Sequence, residues 1–355
     1  MRLRPGALDW IFPRVTRDEK VDPSERVLPA QSDFDGRGTL HWRHLTLSDN
    51  HLLIDLLTRV EDHDDPPYRT TAEESAETFT TTASNIGQAM VLGVDDAGVA
   101  RAYAMVRIRP GTEHDRALCD GGVDPAWRGY GVGTVLLDWQ LHVARAIQAA
   151  TGRHGAWALI HVESPAADAA DLLQRYGFTQ TRWFTEMRRD LTLPIPDVRP
   201  HGNVQVEPWR EDLDDAVRKA HNEAFREQWG AEPHTPETWV HGRTYFAPEW
   251  SFVALDRTTD RARVAGYLIS GRYEGDWEAQ GWTEGYTDVL GVRDEWRGMR
   301  VATALLAAAM RAYAADGMAY AGLGLDLAVP TPQYGLFSEL GYSPTRYSAL
   351  YAMPL

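Results

Sequence analysis

Val123 and Val292 stand 169 residues apart in this 355-residue chain, and so do Arg128 and Arg297. Gly177 and Gly341, each followed by an aromatic residue, stand 164 apart. Landmarks recurring at nearly one offset are what a duplicated domain leaves behind, and each copy, at about 150 residues, is long enough to bury its own core. The pattern between the landmarks repeats as well. Each half reads as a strand, a helix, a hairpin, a further strand, a helix, a buried strand, a short helix and a last strand. We therefore expect domains at 38–192 and 204–355, with the proline-rich stretch Leu193–Asn203 as linker. Residues 1–37 are polar and rich in turn formers, and read as an extension over the first domain.

Composition narrows the function. Cys119 is the single cysteine, which excludes a disulfide scaffold and a cysteine-rich zinc site. A formal net charge of −15 argues against nucleic acid, whose binding rests on cationic neutralisation of phosphates. It suits a cationic substrate, although charge also serves solubility alone. No apolar run approaches the roughly 18 residues of a membrane span, and the start has no secretory leader pattern, so a cytoplasmic protein, monomer or homodimer, is expected.

The chemistry is expected where a strand runs through Val123 into Arg128-Gly129-Tyr130-Gly131-Val132-Gly133 and a helix leaves it. Alternate glycines let backbone approach a ligand, and the amides of the first helical turn gather at the positive end of the helix dipole. Arg128 adds a fork suited to phosphate oxygens. Together these make a pyrophosphate cradle. The spacing is neither the dinucleotide fingerprint nor a nucleoside triphosphate loop.

The stretch VDPAWRGYGVGTVLL and the later Tyr176-Gly177-Phe178 resemble the GNAT acyltransferase superfamily, whose signature is Arg/Gln-x-x-Gly-x-Gly/Ala. VLGVRDEWRGMRVATALL and PTPQYGLFSELGY resemble it again in the second half. The resemblance implies two tandem α/β (α+β) domains, each a mixed, mostly antiparallel sheet flanked by helices and split between its fourth and fifth strands. It further implies acetyl-CoA, or another acyl-CoA, as cosubstrate and a small-molecule amine as acceptor, attacking the thioester directly. Pantetheine would pair with the backbone of Gly121, Gly122 and Val123, and pyrophosphate would sit on Arg128, Gly129, Tyr130, Gly131, Val132, Gly133 and Thr134.

The second half departs from that pattern. Arg300 stands where the first loop has Gly131, so this half is expected to bind CoA poorly or differently. The tyrosine that often protonates the departing thiolate is replaced by Leu173 and Phe337, and the Asn-x-x-Ala position by Ala166 and Pro330. Candidate general bases are Asp288, Asp120 and Glu163; of Cys119 and Asp120, strand alternation turns only one toward the cleft. The run Glu61–Asp65 makes a weak metal site and a plausible acidic rim, so no metal is expected. Trp277, Trp282 and Tyr286 read as packing. Two alternatives stay open: a non-catalytic acyl-CoA-binding protein, and catalysis by the second half through Asp288 while the first holds acetyl-CoA structurally.

Overall fold

The computed structural model describes residues 27–30, 33–34, 37–80, 87–109, 111, 114–151, 155–163, 166–228, 233–240, 243–327 and 332–355. Most of the expected extension over 1–37, and Pro330, lie outside them. The described residues fall into two compact units. One holds Trp183–Tyr347; the other holds the chain up to Arg182 together with Ser348–Leu355.

The N-terminal unit contains a small ribbon, β1 (Asp33–Phe34) with β2 (Gly38–Thr39), and then β3 (His41–His44), α1 (Asn50–Asp64) and α2 (Ala72–Thr80). There follow β4 (Gly87–Val94), β5 (Ala100–Arg109), β6 (Asp115–Val123), α3 (Val132–Thr151), β7 (Ala156–Glu163) and α4 (Ala167–Arg175). Its sheet runs β3-β4-β5-β6-β7, antiparallel except for the parallel pair β6·β7. β5 and β4 are joined by the expected Asp95–Gly98 turn. The Asp95 carboxylate accepts from the amides of Ala97 and Val99, and Gly98 takes φ 79°. Helix α3 forms because Trp139, Val143 and Ile147 recur on one side at 4% exposure or less and cover the sheet. On the opposite face Leu53, Leu56 and Leu57 of α1 are buried against Met90, Leu92, Tyr103 and Met105.

β8 (Thr179–Asp190) carries the chain into the C-terminal unit, where β9 (Val204–Pro208), α5 (Asp214–Ala224), α6 (Pro236–Trp239), β10 (Phe252–Asp256) and β11 (Arg263–Gly271) follow. Then come α7 (Glu274–Gln280), β12 (Glu284–Val292), α8 (Val301–Ala315), β13 (Tyr320–Asp326), α9 (Pro332–Glu339) and β14 (Ser343–Pro354). The order is β9-β10-β11-β12-β13-β8, and here β12·β13 is the parallel pair. α8 lies so close to β12 that a Cβ on Gly285 would fall 2.2 Å from the Tyr313 ring.

The division between units differs from the expected boundaries at two strand ends. Phe184–Asp190 of β8 ladder onto β13, and Ser348–Pro354 of β14 ladder onto β7. In each case an antiparallel partner fills the open edge of a fifth strand, a long-range pairing that no local pattern records. The proline-rich 193–203 lies inside the C-terminal unit, where Arg189 donates to the Pro194 carbonyl (2.7 Å) and Arg311 to that of Pro196 (3.1 Å).

Candidate active site

The parallel pairing of β6 with β7 runs from Asp115↔Ala156 to Cys119↔Ile160 and stops. Asp120–Val123 stay paired with β5 on one side only. β12 and β13 part in the same way after Thr287↔Leu323. Each unit therefore holds a split between its fourth and fifth strands, with exposed main-chain groups along one lip. In the N-terminal unit this lip is Gly121, Gly122 and Val123. A Cβ at Gly122 would lie 2.8 Å from the Tyr103 ring, and one at Gly121 3.0 Å from the Tyr103 carbonyl, so a side chain at either would make β5 give way. Gln140, a buried amide on the apolar stripe of α3, donates to the Asp120 carbonyl (2.7 Å) and straps the helix to the strand.

The chain leaves β6 through a short 3-10 turn, Pro125–Trp127, capped by Asp124. Burial works against the Asp124 charge, but Arg59, Arg101 and the Ala126 amide hold its carboxyl below the usual range. The turn then uses left-handed backbone at Gly129 (φ 81°) and Gly131 (φ 88°) before α3 begins at Val132. Among the described residues no acceptor meets the amides of Gly129–Thr134; Val135 is the first to donate, to Gly131. Nothing lies within 4 Å of where a Cβ on Gly129 or Gly131 would sit. Open space beside unpaired amides at a helix N-terminus fits a pyrophosphate.

Arg128 is paired within the N-terminal unit. Its fork grips the Asp64 carboxylate at 2.6 and 2.7 Å, and its Nε donates to the Val123 carbonyl. The guanidinium thus ties the end of α1 to the loop. Tyr130 is exposed, with its hydroxyl accepting from Arg37.

The second loop preserves the backbone of the first. Gly298 takes φ 77°, and Arg300 takes φ 60°, the left-handed conformation that Gly131 has in the other unit. Its side chain points from an exposed position, and Met299 donates to Trp296. The strut behind this loop has its charges exchanged. Where Asp124 receives Arg59, Arg293 reaches Glu223 at 2.6 Å and lies over Trp296.

The three carboxylates singled out from the sequence sit in different surroundings. Asp120 follows the last β6–β7 partner directly and accepts from the Tyr103 hydroxyl (3.1 Å). Cys119 faces the other way into the core, where burial pushes its thiol up to about 12, so it plays no nucleophilic part. Glu163 ends β7, 4.0 Å from the His161 ring. Burial pushes His161 down to about 4, so it is neutral, and it bonds the Ser348 hydroxyl at 2.8 Å. Asp288 has the most distinctive backbone. β11 pairs Ile269↔Val289 and then Ser270↔Thr287, which leaves Asp288 opposite no residue: a β-bulge at the start of the split. β6 keeps constant register from Ala102↔Val123 to Arg109↔Arg116 and has no bulge. The Tyr273 hydroxyl donates to Asp288 at 2.8 Å.

Leu173 and Phe337 are buried in their respective cores. Within the acidic run, Glu61 is buried and accepts from Thr70, and Asp64 is spent on Arg128. Among the described residues no group of three His, Cys, Asp or Glu side chains is placed to hold a metal ion, and no helix is long and apolar enough to cross a membrane. Of the aromatics read as packing, Tyr286 does more, since its buried hydroxyl donates to Glu186. Sequence reasoning had no signal for that contact, because it joins residues a hundred positions apart.

Residues 53–178 match the acetyltransferase (GNAT) family. The chain is 31% identical over 232 residues to a mycothiol acetyltransferase of Acidothermus cellulolyticus; the alignment covers 62% of this chain and 66% of that protein, just short of two thirds. Among solved structures it is similar to a GCN5-related N-acetyltransferase from Sphaerobacter thermophilus, with a TM-score of 0.68 at 23% identity, over 89% of this chain and 95% of that one. It is also similar to a tandem GNAT protein from the clavulanic acid biosynthesis pathway, solved without AcCoA, with a TM-score of 0.66 at 15% identity, over 89% and 98%. At those identities the two structures speak for the fold alone.

Proposed function

Since the chain carries an acetyltransferase domain of the GNAT family over residues 53–178, we propose that it transfers an acyl group from acetyl-CoA, or another acyl-CoA, to a small-molecule amine. One observation carries the reading. β6 parts from β7 directly before Gly121–Val123, and the next turn opens the unpaired amides of Gly129–Thr134 at the start of α3. On this reading the amides receive the pyrophosphate and the β6 lip receives the pantetheine arm. The reacting carbonyl then lies inside the split, where a carboxylate serves the incoming amine. The amine nitrogen forms its bond to the acyl carbon as the carbon–sulfur bond breaks with its electron pair going to sulfur. The carboxylate takes the proton the nitrogen sheds. Asp120 stands at that place in the N-terminal unit.

A second reading has the transfer occur in the C-terminal unit, with the N-terminal unit holding acyl-CoA. The bulge that turns out Asp288 favours it, because β6 offers no counterpart. Incubation of the whole protein with acetyl-CoA and an amine panel, following bound CoA by native mass spectrometry and free thiol by absorbance, tests both. Asp120→Asn abolishes thiol release on the first reading and Asp288→Asn on the second. Binding without release across the panel would leave an acyl-CoA-binding protein and no transferase.

A further inference from the structure

Tyr103 and Tyr267 hold the same place in the two units. Between β5 and β6 the register sets Tyr103 opposite Gly122 and Met105 opposite Asp120. Between β11 and β12 it sets Tyr267 opposite Gly291 and Ile269 opposite Val289. Each ring lies against its glycine: a Cβ on Gly122 would fall 2.8 Å from the Tyr103 ring, and one on Gly291 2.5 Å from that of Tyr267. Opposed residues of an antiparallel pair share a face, and so does the diagonal neighbour two positions on. That neighbour is Asp120 for Tyr103 and Val289 for Tyr267.

The two hydroxyls accordingly meet different partners. That of Tyr103 donates to Asp120 Oδ1 at 3.1 Å. Its ring is buried in the cluster formed with Leu53 and Leu56 of α1. Burial, and then the charge of Asp120, push the hydroxyl well above its ordinary range, so it stays protonated and donates. Asp120 is half-buried, and among the described residues no donor meets its Oδ2. A neutral hydroxyl orients a carboxylate and leaves its charge in place. In the C-terminal unit Val289 is buried and has no group to accept a bond, and Tyr267 is bonded to Nδ1 of His221 on α5 instead. Burial, with His234 and Arg243 nearby, brings His221 down to about 3, so that partner is neutral. The bulge makes the difference. It takes Asp288 out of the position that Asp120 holds, and leaves the pairing of this tyrosine with a carboxylate to the N-terminal unit.

Resting on the acyltransferase reading above, we infer that Tyr103 is a positioning residue for the transfer: its hydroxyl fixes Asp120 through Oδ1 and so presents Oδ2 to the incoming amine. The nitrogen bonds the acyl carbon, the carbon–sulfur electron pair leaves with sulfur, and the proton shed by the nitrogen goes to Oδ2. Tyr103 keeps its own proton throughout. Gly122 serves the same end indirectly, because its missing Cβ is what admits the ring.

The test uses the full-length protein with acetyl-CoA and, as acceptors, ethylenediamine and benzylamine, following thiol release. Tyr103→Phe keeps the ring and removes the hydroxyl. It is expected to lower kcat about tenfold or more, while the KM for the amine and the calorimetric Kd for acetyl-CoA stay within about twofold. Tyr267→Phe strips the same hydroxyl from the other unit and is expected to leave kcat within about twofold. A tyrosine that only supports the fold would not separate kcat from KM in this way. An unchanged kcat in Tyr103→Phe, a loss carried by KM alone, or an equal loss in the two variants overturns the inference while the acyltransferase reading stands. Thiol release that survives Asp120→Asn and is lost in Asp288→Asn overturns it as well, by moving the reaction to the C-terminal unit. If the wild type releases no thiol with any amine of the panel above, the acyltransferase reading itself fails and the inference falls with it.

Discussion

Replacing Gly131 by Arg copies the second loop into the first, and the structure gives the size of each consequence. Gly131 sits at φ 88°, where an L-residue costs about 1–2 kcal/mol, and no atom lies within 4 Å of the new Cβ. Arg300 at φ 60° shows that the turn accepts an arginine. The variant should fold, with a melting temperature lower by a few degrees. Binding is affected through the space above the amides. A charge-assisted bond from an amide to a phosphate contributes about 1.5–3 kcal/mol, and an exposed guanidinium returns at most about 1 kcal/mol. One bond displaced by the side chain therefore weakens acetyl-CoA by roughly twofold to thirtyfold, and two together by roughly thirtyfold or more. Isothermal titration of wild type, Gly131→Arg and the reciprocal Arg300→Gly reads this directly. An affinity within twofold of wild type at unchanged stoichiometry, with the expected drop in melting temperature, would show that CoA does not use this turn.

Three further outcomes follow from buried and paired groups. Cys119, raised to about 12 by burial, should resist a thiol-specific disulfide reagent at pH 8 in the native protein and react stoichiometrically in denaturant; fast native labelling contradicts its placement in the core. Burial lowers His161 to about 4, and burial with His234 and Arg243 nearby lowers His221 to about 3, so the unfolded chain takes up protons near the ordinary 6.5 that the folded chain refuses. Stability should therefore fall as pH drops from 7 to 5, by about 1.4 kcal/mol per pH unit for each histidine below that value, and His161→Gln should remove about half the slope in thermal scans; a flat profile refutes it. Asp64→Asn breaks the fork of Arg128 in a half-exposed pair, costing roughly 0.5–1 kcal/mol, and should leave acetyl-CoA affinity within threefold if Arg128 only braces the loop. A loss beyond tenfold in titration would assign the guanidinium to ligand binding.

Much of the fold is local and so was readable in the residues. The spacing of Trp139, Val143 and Ile147 sets α3, Asp95–Gly98 sets a hairpin, and alternate glycines set the turn before α3, because each acts through bonds within a few positions. The offset between Arg128 and Arg297 reveals the duplication for the same reason: identical local patterns fold alike. What depends on distant partners was not readable. Only the ladders onto β7 and β13 assign the ends of β14 and β8 to their units. Asp64 takes the fork that the sequence offers to phosphate. A one-residue slip between β11 and β12 makes Asp288 unlike Asp120, though both precede a valine and a loop. Arg300, which departs from the glycine of the first loop, keeps the left-handed turn that Gly131 makes there. The bond from Tyr286 to Glu186 was not readable either, since it joins residues a hundred positions apart.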